Sequence, residues 1–559
     1  MPHTLSLTGK RWIIPQTEHV SSHALIATLL AHRNVGNATE LPAPSVYPDM
    51  ERAVARIRLA MERGETIGIF GDYDCDGITG VAQLVRFFRR HSVHPHVILP
   101  HRVHDGYGLR RHAVEAFGVH GITLLITVDT GITAVAEIGE AKKKWGIDVI
   151  ITDHHHLQEE LPPAFAILHP LLAPAFPPPH PSGAGVAHSL IRGLEGKRWE
   201  GDATDHALAM IGTIGDLVEL KGTNRTLVQR GLAALNELTS GPLALFADSV
   251  RSGKNALTST DIAFRLAPRI NAAGRMEDPS IALTALLEGG EALKELSSLN
   301  TLRQESTVKL LEESYRLLGL PEQFDPSVLA TLPPLLFSAS PAFPEGIIGL
   351  IAGRLTEMYG RPSFVASVSN GECTASLRSV RAYHITQGLE RVSDLLSTFG
   401  GHAQAAGCTF ALKNLEELKH RLTEDVAAHV NPVDLRPALE IDAILSPNDI
   451  SLSFCEQLRH LEPFGQGNPE PFFLLKNIRL EQPRRVGKEG AHLQGRIAGF
   501  KVIGFRLGHL AEEATHPLDV ICKLSIDTWN GNRAPQLIVE DVCTARRAER
   551  AIIARHGTA

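Results

Sequence analysis

Between residues 66 and 152, short runs of branched and apolar residues alternate with segments of helical spacing. Residues 66–73 (TIGIFGDY) read as a buried strand, and residues 78–91 place Val81, Leu84, Val85 and Phe88 on one face of a helix. The alternation continues with a strand at 96–99, a helix at 110–117, a strand at 122–128, a helix at 134–145 and a strand at 149–152. Such a rhythm predicts a largely parallel sheet with helices on both faces. Residues 161–183, with Pro177, Pro178 and Pro179 in a row, read as a loop, and helical segments follow over 186–247. Residues 291–318 read as one long helix carrying Leu293, Leu296, Leu299, Leu310 and Leu317, ended by Pro321.

A second α/β region covers 333–430. After Pro432 the texture changes to short extended pieces at 472–475, 493–497, 501–505, 520–526 and 536–539, an all-β, barrel-like pattern. The fold class predicted is α/β: two α/β domains joined by a long helix, plus a C-terminal β-barrel module. The expected boundaries are 1–50 for an N-terminal segment, 51–290, 291–322 for the connecting helix, 323–430 and 431–559. No internal repeat is visible.

Composition narrows the function classes. A chain of 559 residues, 43% hydrophobic, is too long for one core. It contains no apolar run long enough for a membrane span. Near the start, Lys10 and Arg11 precede only three apolar residues, which does not match a signal peptide. Six cysteines are scattered with no CxxC pair, which predicts reduced thiols and a cytoplasmic protein. Net charge is −7, but residues 472–559 carry +5 and the rest −12. An acidic metal-binding body with a basic phosphate-holding tail fits this split, and so does chance variation of a solvated surface.

The densest chemistry is at residues 71–77 (GDYDCDG), directly after the first strand. In an extended chain Asp72, Asp74 and Asp76 point to one side. Three crowded carboxylates repel one another and need protons or a cation. A helix-capping turn accounts for one aspartate but not for three. Two further strands end alike: 126–131 (ITVDTG) brings Asp129, and 150–156 (IITDHHH) brings Asp153, His154, His155 and His156. Parallel strand ends converge in space, so one dinuclear site is expected, and carboxylate plus imidazole donors suit a transition-metal cation better than Ca²⁺.

These motifs (DYDCDG, TVDTG and DHH) resemble the first three of the DHH phosphoesterase superfamily, and 210–217 (MIGTIGDL) supplies the fourth carboxylate, Asp216. More specific segments resemble the RecJ exonucleases of that superfamily: 267–276 (APRINAAGRM), 299–305 (LNTLRQE), 346–355 (GIIGLIAGRL), 400–407 (GGHAQAAG) and 461–472 (LEPFGQGNPEPF). They run in family order over most of the chain. Two departures stand out. Cys75 replaces the family's usual Ala, and 340–346 (SPAFPEG) lacks a Trp-His pair.

The resemblance implies a DHH catalytic domain, a DHHA1 domain and an OB-like nucleic-acid-binding domain. It implies a 5′→3′ exonuclease specific for single-stranded DNA, releasing 5′-mononucleotides by a two-metal mechanism with Mn²⁺ or Mg²⁺, in recombination and repair. It makes Asp74, Asp76, Asp129, His154 and Asp216 metal ligands, with Asp129 the bridge. Asp72 is then a ligand or a support behind the ligands. His155 faces the scissile phosphate, and Asp153 orients the imidazoles. Arg102, Arg275, Ser376, Arg378 and His402 become contacts to the substrate and its 5′ end. In the tail, Phe500, Phe505 and Trp529 are base-stacking candidates or core, and Arg484, Arg485 and Lys488 phosphate contacts. By resemblance, the partners are a single-strand-binding protein and a RecQ-type helicase, and a monomer is the default. The alternatives are a DHH phosphodiesterase acting on short oligoribonucleotides or cyclic dinucleotides, and a scaffold that has lost its metals. The β-rich tail argues against the first and the complete ligand set against the second.

Overall fold

The computed structural model describes residues 3–15, 22–36, 40–196, 201–322, 324–512, 517–528 and 533–544. The chain forms two compact units. One comprises residues 31–304 with 463–469, and the other residues 1–30, 305–462 and 470–559.

The first unit is built on a five-stranded, wholly parallel sheet. Its order is His96–Ile98, Ile67–Gly71, Leu124–Val128, Asp148–Thr152, Ala166–Leu168. Alternating side chains feed two cores, as a sheet covered on both faces requires. Ile67, Ile69, Ile126, Val128 and Ile150 pack with residues of helices Met50–Arg63, Cys75–Arg90, Gly183–Glu195 and Ala203–Gly215. Phe70, Leu125, Val149 and Ile151 pack with residues of Arg111–Val119 and Val135–Trp145. The register pairs Gly71 with Val128 and Val128 with Thr152. Asp72, Asp129 and Asp153 therefore leave the sheet at one level of the same edge.

Two local expectations change. The first helix begins at Cys75 rather than 78, because the Asp74 side chain accepts from the Asp76 and Gly77 N–H groups and caps it. Asp72, Asp74 and Asp76 thus do not lie along one extended strand; the chain turns between them. The proline-rich stretch 161–183 is not all loop. Its Ala166–Leu168 is the edge strand, and Asp49 Oδ2 accepts from Ile167 N–H at 2.9 Å.

The long helix is continuous over Gly290–Leu318. In the second unit a mixed sheet runs Thr398–Gly401, Ala405–Ala411, Glu372–Arg378, Ser363–Ser369, Leu336–Ser340, with one parallel pair at the Leu336–Ser340 edge. Its core of Phe337, Phe364, Leu377 and Phe410 closes against Leu418, Leu422 and Val426 of helix Leu415–His429.

The C-terminal strands form one seven-stranded sheet in the order Ala443–Leu445, Phe473–Ile478, Leu518–Asp527, Ala534–Thr544, Phe500–Gly504, His492–Ile497, Glu481–Val486. Among the described residues no ladder joins its two edges, so the barrel-like expectation is realised as an unclosed sheet. A hairpin from the far end of the chain completes this module. Strand Arg11–Ile13 pairs with His3–Leu5 and, in parallel, with Ala438–Glu440. Trp12, 1% exposed, packs with Leu474, Ile521 and Cys543, and its Nε1–H donates to Asp541 Oδ2 at 2.7 Å. Thr8 Oγ1–H donates to the other oxygen of that buried carboxylate at 2.8 Å.

All six cysteines are buried and free. Among the described residues no helix is long and apolar enough to cross a membrane.

Candidate metal centre

The converging strand ends and the helix ends beside them gather seven side chains that could hold a metal ion, in three overlapping groups. These are Asp72, Asp74 and Asp129; Asp129, His154 and His155; and Asp76, His154 and Asp216, each group with its ligand atoms within 4.8 Å of one another. Asp129 and His154 belong to two groups each. His154 Nε2 stands 3.1 Å from Asp129 Oδ1, 3.6 Å from Asp216 and 3.8 Å from Asp76.

Backbone geometry aims these groups. Asp76, fully buried, accepts from Gly183 N–H at 2.6 Å and Ala184 N–H at 3.0 Å at the start of helix Gly183–Glu195. That position favours a carboxylate. Asp129 adopts a left-handed φ of +60°, an uncommon backbone for a non-glycine residue and one frequent at functional sites. Asp153 is saturated: it accepts from the N–H groups of Ile132, His154 and His155 and from His155 Nδ1–H at 2.8 Å. The last of these bonds ties the His155 ring to Asp153.

The electrostatics describe a site short of positive charge. Burial and the Asp74 charge push Asp72 up to about 8 and Asp76 up to about 6. Burial and the neighbouring aspartates raise Asp129 and Asp216 well above the ordinary carboxylate range. Burial and the His155 charge pull His154 down to about 3, leaving a neutral imidazole. His155 is the exception. Burial opposes its charge, but the hydrogen bond and charge of Asp153 outweigh it and hold His155 at about 9, while Asp153 falls to about 2. Asp129 Oδ1 and His154 Nε2 are buried without a hydrogen-bond partner. Two orphaned donor atoms 3.1 Å apart, one carboxylate and one neutral imidazole, fit a divalent cation.

Sequence reasoning missed several supports. Asn271, in the NAAGR segment, accepts from Cys75 N–H at 2.8 Å and fixes the turn between Asp74 and Asp76. Buried His169 donates from Nε2 to the His155 carbonyl at 2.8 Å. The Tyr107 ring lies 5.4 Å from that of His155. None of these residues ligates by pattern, so only the folded neighbourhood reveals them. Cys75 fits because Gly215 offers no side chain beside its Sγ.

Of the predicted substrate contacts, Arg102 stacks its guanidinium over Tyr73 at 4.4 Å, and its Nε has no partner. Arg275 lies on helix Ala267–Met276, whose Gly274 leaves room for the Tyr73 carbonyl, and its charge acts on the Tyr73 hydroxyl. In the other unit, Ser376 and Arg378 sit on strand Glu372–Arg378 with Arg378 Nη1–H donating to Ser376 Oγ at 3.3 Å. His402 follows the exposed strand Thr398–Gly401, its carbonyl accepting from Thr386. Within 340–346, Phe343 is buried. In the C-terminal sheet Phe505 is 57% exposed beside His492, Arg484 holds Gln494 and Arg485 holds Glu512. Trp529 lies outside the described residues.

A parallel sheet with acidic and histidine motifs at its carboxyl edge defines a phosphoesterase domain of the DHH class, and the profile for the DHH family N-terminal domain matches residues 66–215. The DHHA1 domain profile matches 333–428 and the RecJ OB domain profile 441–541. The single-stranded-DNA-specific exonuclease RecJ of Thermus thermophilus is 35% identical over 521 residues, covering 91% of this chain and 74% of that protein. The same-named protein of Bacillus subtilis is 30% identical over 554 residues, covering 95% and 69%. The crystal structure of Thermus thermophilus RecJ in complex with Mn²⁺ superposes with a TM-score of 0.79 at 31% identity, covering 95% of this chain and 79% of that one; its Mg²⁺ complex gives 0.74 at 29% identity, covering 95% and 78%. The chain belongs to the RecJ family.

Proposed function

We propose that this chain is a metal-dependent 5′→3′ exonuclease that hydrolyses single-stranded DNA to 5′-mononucleotides. The observation that carries it is the orphaned pair Asp129 Oδ1 and His154 Nε2 amid carboxylates that need a cation. Asp74, Asp76, Asp129, His154 and Asp216 would hold two Mn²⁺ or Mg²⁺ ions, with Asp129 shared and Asp72 a ligand or a support. Such cations supply polarisation of the phosphoryl group and an attacking water of lowered pKa.

The protein's own residues do the rest. His155, charged and braced by Asp153, offers a cationic donor to the scissile phosphate. Arg102 and Arg275, with Ser376, Arg378 and His402 of the other unit, are the proposed contacts to the strand and its 5′ end. The OB-type module serves single-strand binding and favours long DNA over dinucleotides. A single-strand-binding protein and a RecQ-type helicase are the proposed partners, in recombination and repair in the cytoplasm, with the chain working as a monomer.

The test is a long single-stranded DNA labelled separately at each end, incubated with Mn²⁺ and with EDTA. Metal-dependent loss of the 5′ label as mononucleotides, with duplex spared, is expected. Survival of long DNA while dinucleotides are cleaved would overturn the substrate assignment.

A further inference from the structure

Residues 305–462 and 470–559 belong to one compact unit, yet residues 463–469 (PFGQGNP) between them belong to the unit that holds the acidic edge. They fold as a reverse turn in which Gly465 and Asn468 exchange hydrogen bonds of 2.9 and 3.1 Å across Gln466 and Gly467. The turn is pinned on two sides. Fully buried Asn468 donates from Nδ2 to the Pro463 carbonyl at 2.9 Å and accepts from Arg33 Nη1–H at 3.2 Å, and Arg33 also donates to the Pro469 carbonyl. Ser259 Oγ–H donates to the Phe464 carbonyl at 2.7 Å.

What the turn grips is the run that follows Asp216. Leu220 N–H donates to the Gln466 carbonyl at 2.8 Å. Gly467 has φ +73°, and a Cβ there would stand 3.0 Å from Glu219 Cβ; one at Gly465 would stand 2.6 Å from Leu220 Cδ1. Both glycines are therefore demanded by close approach. Asp216 itself occupies the C-cap of helix Ala203–Gly215, the negative end of the helix dipole, where a carboxylate is disfavoured. The next residue, Leu217, is left-handed at φ +61° and 67% exposed. An aspartate at an unfavourable helix end, ahead of a solvent-facing left-handed residue, needs an external hold.

We propose that the 463–469 turn is a positioning element for Asp216: by fixing Leu220 it sets that carboxylate 3.6 Å from His154 Nε2. The proposal rests on the metal-centre reading above. It makes a turn inside the stretch matched by the RecJ OB domain profile part of the metal-binding apparatus.

The test uses the full chain and two variants outside the ligand set, Gly467→Ala and Ser259→Ala, with Asp216→Asn measured alongside. Mn²⁺ affinity is read by electron paramagnetic resonance titration and folding by circular dichroism. Gly467→Ala should weaken Mn²⁺ binding about tenfold, the range for a lost support behind a ligand, and saturating Mn²⁺ should restore most of the cleavage rate. Ser259→Ala should shift affinity in the same direction and decides the matter alone if Gly467→Ala does not fold. Wild-type Mn²⁺ affinity in a folded variant, while Asp216→Asn loses it, would overturn the proposal. Failure of the unaltered chain to bind Mn²⁺ would instead overturn the metal-centre reading.

Discussion

Gly183→Ala is the substitution that most directly tests how the centre is held. Gly183 donates its N–H to Asp76 and leaves no space beside Asp129: a Cβ there would stand 2.4 Å from Asp129 Oδ1 and 2.5 Å from its Cβ. Restoring van der Waals separation requires a displacement of about 1 Å. The helix cannot retreat freely, because its own Val186, Ala187, Leu190 and Ile191 are fully buried in the core. The Asp129 backbone is tied to the sheet through its N–H to the Thr152 carbonyl at 2.8 Å. The Asp129 carboxylate must therefore swing away from His154. A misplacement of about 1 Å at a catalytic centre costs on the order of 100-fold in rate, or about 2.7 kcal/mol of barrier. Overpacking itself should cost about 1–3 kcal/mol of stability. Single-turnover digestion of 5′-labelled single-stranded DNA at saturating Mn²⁺ reads the first effect and thermal unfolding the second. A folded variant with the parent's rate would refute the reasoning.

Other substitutions probe separate parts. Asp129→Ala should abolish cleavage while fluorescence anisotropy shows DNA binding nearly intact; activity near that of the parent would end the dinuclear assignment. Arg378→Ala should lower kcat/KM more for 5′-phosphorylated than for 5′-hydroxyl strands, by the about 1.5–3 kcal/mol of a hydrogen bond to a charged group, and equal losses would remove it as the 5′ anchor. Trp12→Ala should cost about 3–5 kcal/mol in the unit containing the C-terminal sheet, seen by calorimetry as a lowered transition; an unshifted transition would show that the hairpin adds nothing there.

The strand ends that carry Asp72, Asp129 and Asp153 were legible because buried parallel strands are near-continuous apolar runs, and the residue after each is conspicuous by contrast. Ala166–Leu168 was not, since three apolar residues among prolines carry no period. Glu481–Val486 escaped for the opposite reason: most of it is exposed on a sheet edge, so its polar residues need not alternate. Within the site, residue types that bind metals announce themselves, whereas Asn271 and His169 act by holding backbone groups distant in sequence. The turn at Asp74 was half-legible. Its capping role was foreseeable, but not that capping ends the extended alternation and divides the aspartates between separate groups.

The hairpin carrying Trp12 sets a timetable for synthesis. Trp12 and its acceptor Asp541 are 529 residues apart in the chain. At about 5–20 residues per second the indole leaves the ribosome roughly 25–100 s before its partner exists. Until Ala438–Glu440 is made the strand lacks one of its edge partners, and until Asp541 is made its large aromatic side chain lacks its acceptor. The C-terminal module cannot close around it until both ends of the chain meet, so a bulky fusion placed ahead of the hairpin would be felt in the maturation of the opposite terminus.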